Sequence, residues 1–421
     1  MRHQELPYSF FSRNRKNLQN KIEPDTLLLV FSNPIAMRNG DQQYVYRQSS
    51  DLFYLTGITQ PETVLLMYVT ENDWHEILFI NRPDPKTELW DGYQLNTSDA
   101  ADISGITDVR FTDSMKSTLE KLTQKSQKIA YSYPNYHKVA EQWVDYLMEK
   151  NKTLEQTNLQ NTIAQLRVIK SPEEIALIKK AIDITYKAFK NFIPIVHTGA
   201  MEYEIEAEMI RTFIANGADG HAFDPIVASG PNACTLHYIS NNRKIEDKEL
   251  LLLDFGAEYN GYAADMSRTL PVGGKFNPRQ KDIYETVLQA QKFAIKLIRP
   301  GISIKEINKQ VREYLEKEMI KLGLFTEQEI KQQNPEEPIS RKYFMHGTSH
   351  FMGIDVHDVG DPKEVLQPGM VLTCEPGIYI KEEGLGVRIE NDILVTNDGN
   401  EDLMRHIPRE VKDIEALFGK K

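Results

Sequence analysis

The sequence predicts an α+β chain, with a smaller α/β domain over residues 1–168 and a pseudo-two-fold α+β domain over residues 169–421. Three observations predict it. Short apolar runs bounded by Pro, Asn and Asp are mixed with helical stretches in the first part of the chain. A helix-start signal at Lys170-Ser171-Pro172-Glu173-Glu174 marks a boundary. Beyond it, a helix pair followed by strands occurs twice, which places a site between two similar halves.

In the first domain, residues 26–31 (TLLLVF), 63–69 (TVLLMYV) and 76–80 (EILFI) read as strands with a buried face. Residues 119–125 and 138–150 read as helices. At the boundary Ser171 fits the N-cap, Pro172 the first helical position and Glu174 the third, so a capping box opens a helix running to about Phe192. After Thr198-Gly199 a second helix starts at Glu202 and stops at Gly217. The second copy has a helix over residues 280–298, then Pro300-Gly301, then a helix from Ser303 stopped by Gly323. Ser303 and Glu306 form another expected capping box.

A hairpin follows each helix pair. Asn260-Gly261 between two strand-like runs is a strong two-residue turn signal and pairs Tyr259 with Tyr262. In the second half, residues 369–380 are expected to pair with 385–395 around Glu382-Glu383-Gly384.

Composition narrows the function classes. Hydrophobic residues are 40% and charged residues 26%, which excludes a disordered chain. With 50 Lys and Arg against 61 Asp and Glu the formal charge is −11, which disfavours nucleic acid as a partner. Two cysteines, Cys234 and Cys374, cannot build a disulfide framework or a Cys-rich zinc site. They read as reduced packing thiols of a cytoplasmic protein. The N-terminus has no apolar stretch of a secretory leader, and no run is long enough to cross a membrane. Nucleotide-loop and serine-hydrolase motifs are missing as well.

The chemistry concentrates in the two hairpins and a histidine segment. The Asn260-Gly261 register sets Asp254 opposite Ser267, with Asp265 diagonal on the same face. Two carboxylates on an apolar face repel unless a cation lies between them, and a divalent metal serves. Solvent-facing aspartates are the plain alternative. It is weakened because Asp254 continues the run Leu251-Leu252-Leu253. His346, His350 and His357 fall within twelve residues, interleaved with glycines. Glu375 emerges from an apolar strand, and Arg388 and Glu390 share a face of its partner by period two.

These residues carry a resemblance. LLLDFG, GYAADMSRT, HGTSHFMGIDVHD, CEPGIY and VRIEND resemble, in that order, the ligand motifs of the aminopeptidase P family, whose pita-bread peptidase fold is shared with prolidase and methionine aminopeptidase. The run YRQSSDLFYLTG at residues 46–57 resembles the N-terminal domain of aminopeptidase P and prolidase. The resemblance covers nearly the whole chain. It implies five metal ligands, Asp254, Asp265, His350, Glu375 and Glu390, holding two divalent ions, Mn²⁺ foremost with Co²⁺ or Zn²⁺ as substitutes. Asp265 and Glu390 would bridge both ions, Asp254 would hold one, and His350 and Glu375 the other.

The resemblance further implies hydrolysis of the N-terminal Xaa-Pro bond of peptides by a metal-activated bridging hydroxide. Glu375 would shuttle the proton, and His237 or His357 would face the oxyanion. His237, His346, His357, Tyr379 and Arg388 match positions around the substrate, with Arg388 pairing either Asp254 or Tyr379. Asp41 and Trp90 match positions that approach a neighbouring active site in a homodimer or homotetramer. Two rival readings are a prolidase restricted to Xaa-Pro dipeptides and a non-catalytic binding protein of the same fold. Retention of all five ligand positions argues against the second. Cys234, Trp90 and His237 each have a plain reading as packing or cover.

Overall fold

The computed structural model describes residues 6–71, 73–133, 137–334 and 337–419. Residues 1–5, which bear on the leader question, lie outside the described residues. The chain divides into two units, one holding the described residues up to Arg167 and the other running from Val168 onward.

In the first unit, β1 (Thr26–Phe31), β2 (Val64–Val69), β3 (Trp74–Ile80), β4 (Val109–Phe111), β5 (Lys128–Ser132) and β6 (Glu155–Asn158) form one mixed sheet in the order β4-β3-β2-β1-β5-β6. Every residue of β1 and β2 is buried, which is why both read as unbroken apolar runs. Helices α1 (Tyr8–Gln19), α2 (Met115–Thr123) and α3 (Lys138–Lys150) flank the sheet. Met115 and Leu119 of α2 join Ala140 and Leu147 of α3 on a core of Leu27, Leu29, Leu66 and Phe79. Helix α2 begins before the expected residue 119, because a 3₁₀ turn at Thr112–Ser114 leads straight into it and buried Met115 anchors its first turn. Asp41 and Trp90 are exposed.

The second unit holds the two helix pairs: α4 (Pro172–Phe192) with α5 (Glu202–Ala215), and α6 (Pro278–Leu297) with α7 (Ile304–Lys321). The box at Ser171 is complete, its Oγ accepting from Glu174 N while Glu174 takes the Ser171 amide. Only half of the box expected at Ser303 forms. Ser303 Oγ accepts from Glu306 N, but the Glu306 carboxylate accepts from Gln310 Nε2, a neighbour one turn on.

Strands β7 (Ile226–Ser229), β8 (Leu250–Phe255), β9 (Ala257–Tyr259), β10 (Tyr262–Ala263) and β11 (Met266–Pro271) build the first half. Strands β12 (Val371–Cys374), β13 (Gly377–Ile380), β14 (Leu385–Arg388), β15 (Asn391–Thr396) and β16 (Gly399–Asp402) build the second. The predicted register holds: Tyr259 pairs with Tyr262 and Asp254 with Ser267. Asn260 and Gly261 both take positive φ, the requirement of the tight hairpin turn.

Each long hairpin is broken midway while keeping its register. The first breaks at Gly256 and Ala264-Asp265, the second at Glu375-Pro376 and Ile389-Glu390. Glu390 therefore lies in a break, not within the strand where period two placed it. At the breaks the amides leave the ladder: Asp265 N donates to Asp392 Oδ2, Glu375 N to Thr348 O and Glu390 N to Ser267 O. Fully buried Arg268 ties the halves together, donating to Ser267 O, Glu390 O and Asn391 Oδ1.

Gly256 makes the first break possible, since a Cβ there would stand 1.7 Å from Ala264 O. Gly256→Ala is expected to cost about 3 kcal/mol or more and to displace Asp265. A melting curve and a bound-metal assay check this; parent values in both would disprove the close approach.

Candidate active site

The breaks deliver their carboxylates to one cavity of about 330 Å³ in the second unit. Asp254, Asp265, His350, Glu375 and Glu390 line it, with His237, His346, His357 and Arg388. Phe223, Ile226, Leu236, Ile239 and Val356 give it an apolar side, and Asp224 completes the wall. Asp265, His350 and Glu390 each present a ligand atom within 4.8 Å of the others. His350 Nε2 is 3.5 Å from both Asp265 Oδ2 and Glu375 Oε1.

Hydrogen bonds settle the histidine tautomers. The Nδ1 of His350 lies 3.0 Å from Phe351 O, a group that can only accept, so Nδ1 carries the proton. Nε2 is then the nitrogen that faces the carboxylates, the one left for a metal. His346 Nδ1 likewise donates to Gly347 O at 2.7 Å, leaving Nε2 to accept from Tyr379 OH at 2.8 Å. Burial lowers the His346 pKa, which keeps that ring neutral.

Arg388 closes the wall opposite. It donates from Nη2 to Asp254 Oδ2 (2.6 Å), from Nε to Ser267 Oγ (2.7 Å) and from Nη1 to Tyr379 OH (2.8 Å). It therefore pairs Asp254 and orients Tyr379 together. Ser267 Oγ in turn donates to Glu390 Oε2 at 2.7 Å.

One cation does not balance this wall. Burial first, then Glu390 and Asp254, pushes Asp265 well above the ordinary carboxylate range. Burial, then Glu375 and Asp254, does the same to Glu390. Asp254 Oδ1 and Asp265 Oδ1 are buried with no hydrogen-bond partner among the described residues. Buried oxygens of this kind are costly unless a cation meets them. An oxygen-rich donor set with one imidazole fits hard or borderline divalent ions.

Residues 176–397 match metallopeptidase family M24, and residues 11–131 match the aminopeptidase P N-terminal domain. The chain belongs to metallopeptidase family M24. This M24 peptidase is 35% identical to the Xaa-Pro aminopeptidase of Escherichia coli (strain K12), across 98% of each chain. It is 34% identical to human Xaa-Pro aminopeptidase 3, over 97% of its own length and 84% of the relative. The solved zinc-substituted E. coli aminopeptidase P, in complex with product, superposes with a TM-score of 0.93 at 34% identity over 99% of each chain. The expected family and fold are borne out: an aminopeptidase P N-terminal domain precedes a pita-bread catalytic domain. The M24 peptidase is a hydrolase, a metallo-aminopeptidase.

Tyr379 differs from its expected place. It is fully buried and does not line the cavity of the M24 domain; its hydroxyl is held between Arg388 and His346. Cys374 is buried and Cys234 partly buried, both free. Three supporting residues had escaped the sequence reading. Ser267 bridges Arg388 and Glu390, Thr373 accepts the His350 amide and donates toward Glu375 Oε1, and Asp392 holds the Asp265 amide. The signal for Ser267 was present, since the register set it opposite Asp254. Asp392 and Thr373 gave none, because their partners come from broken backbone that a strand pattern does not foresee.

Proposed function

We propose that this M24 peptidase hydrolyses the N-terminal Xaa-Pro bond of peptides, with Asp254, Asp265, His350, Glu375 and Glu390 holding two divalent ions, manganese in the cell. The observation that carries this is the convergence of Asp265, Glu390 and His350 on one point, beside the buried, partnerless oxygens Asp254 Oδ1 and Asp265 Oδ1. When bound, the ions supply an activated water and polarise the scissile carbonyl.

The remaining roles fall to the chain. Glu375 has Oε1 engaged near Thr373 and His350, which leaves Oε2 to take a proton and pass it to the leaving nitrogen. A prolyl nitrogen carries no hydrogen in the peptide bond, so this delivery is required for it to leave as an amine. His237 and His357, on separate turns, supply N–H donors for the carbonyl oxygen as it gains charge. Burial lowers the His357 pKa, which favours the neutral ring with its one N–H. The apolar side of Phe223, Ile226, Leu236, Ile239 and Val356 suits a prolyl ring.

Substrate length follows from charge. Among the described lining residues Arg388 is the one Lys or Arg side chain, and all three of its nitrogens are engaged within the chain. Among the described lining residues no Lys or Arg is left to capture a dipeptide's carboxylate, which favours longer peptides over a prolidase reading. Exposed Leu89, Trp90 and Tyr93 favour association as a homodimer or homotetramer, checked by light scattering. Two free thiols favour the cytoplasm.

The test is turnover after metal stripping and Mn²⁺ readdition, on an Xaa-Pro dipeptide and an Xaa-Pro tripeptide side by side. Metal-restored cleavage of the tripeptide is expected. Cleavage of the dipeptide alone would establish a prolidase. Silence on both, with metal confirmed bound, would overturn the reading.

A further inference from the structure

One buried ion pair outside the carboxylate cluster reaches the cavity indirectly. Lys170 Nζ lies 2.9 Å from Asp358 Oδ2, and each side chain is 1% exposed. Asp358 directly follows His357. Residues 353–358 are neither helix nor strand, yet they bring Val356 and His357 to the cavity wall. The segment starts firmly: Met352 N donates to Val371 O and Ala263 N to Gly353 O. It then closes on itself through Gly353 N to Asp355 O and Asp358 N to Phe351 O.

Lys170 is itself fixed. Its amide donates to Gly369 O at 2.8 Å, and it directly precedes the Ser171 cap of α4. Gly353 leaves room for the pair, because a Cβ there would stand 2.3 Å from Asp358 Oδ2 and 2.7 Å from Lys170 Cε. A buried ion pair is a weak source of stability, since desolvation offsets the attraction. Its direction is what it contributes: a charged bond of fixed length to the residue beside His357.

We propose that Lys170 is a positioning residue for the peptidase reaction, its buried pair with Asp358 holding the 353–358 segment so that His357 faces the scissile carbonyl. This rests on the oxyanion role given to His357 above.

The test compares Lys170→Met, His357→Ala and the double variant, all as full-length, metal-loaded enzyme. His357→Ala should lower kcat about 100-fold. Lys170→Met should lower kcat about 10-fold to 100-fold, with KM and bound metal near the parent values. In the His357→Ala background, Lys170→Met should cost less than about twofold, because residues acting through one another are not additive. A full further loss on top of His357→Ala would overturn the Lys170 inference alone. Unchanged kcat in His357→Ala would overturn the oxyanion role and the inference with it. Unchanged kcat in Lys170→Met would also overturn the inference. Should Lys170→Met fail to fold because Asp358 stays charged and buried, Asp358→Asn and the neutral pair Lys170→Met with Asp358→Asn carry the same cycle.

Discussion

Replacing Asp265 with Ala is expected to remove bound metal and turnover together. Asp265 supplies one of three ligand atoms that lie within 4.8 Å of each other, and its Oδ1 has no hydrogen-bond partner among the described residues. Losing it removes one of the five side chains that would hold the ions. Metal catalysis is worth several kcal/mol, so the loss in turnover should be about 10³-fold or more. The metal-free variant should nevertheless be at least as stable as the metal-free parent. One buried carboxylate is gone, and with it the repulsion between Asp265 and Glu390. Elemental analysis, turnover and melting of the same samples check all three. A variant that stays loaded and active would sink the five-ligand assignment; one that simply unfolds would show Asp265 to be structural.

Chelation should destabilise the protein, increasingly so as pH rises. Asp265 and Glu390 both have folded pKa values above their unfolded ones. For such groups stability is fully present below the unfolded value, about 4, and is lost as pH rises through the folded values. Metal-free protein therefore weakens from about pH 4 upward. Loaded protein is spared, because the bound cations compensate the charges. At about 1,000 times the dissociation constant a ligand adds about 4 kcal/mol, which puts the melting gap on the order of 10 °C near neutral pH. Melting temperatures with and without chelator across pH 4.5–8 measure it. A gap that stays constant or shrinks with rising pH would be incompatible with a buried carboxylate cluster awaiting cations.

Much of the fold was legible because its local signals agree. Strands β1 and β2 are buried on both faces and so read as continuous apolar runs. Helix α4 carries its cap in sequence, and Asn260-Gly261 fixes a register that sets Asp254 opposite Ser267. The candidate site was legible through residue types in order, four carboxylates and a histidine, each beside a glycine, proline or apolar run. The breaks themselves were not. Period two kept Glu390 in a strand, whereas its amide leaves the ladder for Ser267 O across the pseudo-two-fold. Glu306 was assigned to its own cap, but a glutamine one turn along the same helix takes it. Tyr379 was placed against the substrate, yet its hydroxyl is consumed by Arg388 and His346 from two other segments.

The division has a physical basis. By itself the sequence determined what depends on neighbours along the chain: helix starts, the tight turn, buried runs and the identities of the groups that meet a cation. Only the tertiary structure decided what depends on partners far along the chain. It set which nitrogen of His350 carries the proton, through Phe351 O. It showed that Arg388 serves Asp254, Ser267 and Tyr379 at once, and that Lys170 reaches Asp358 across 188 positions. A buried polar group must find a partner, and which partner it finds is fixed only when the halves close on each other.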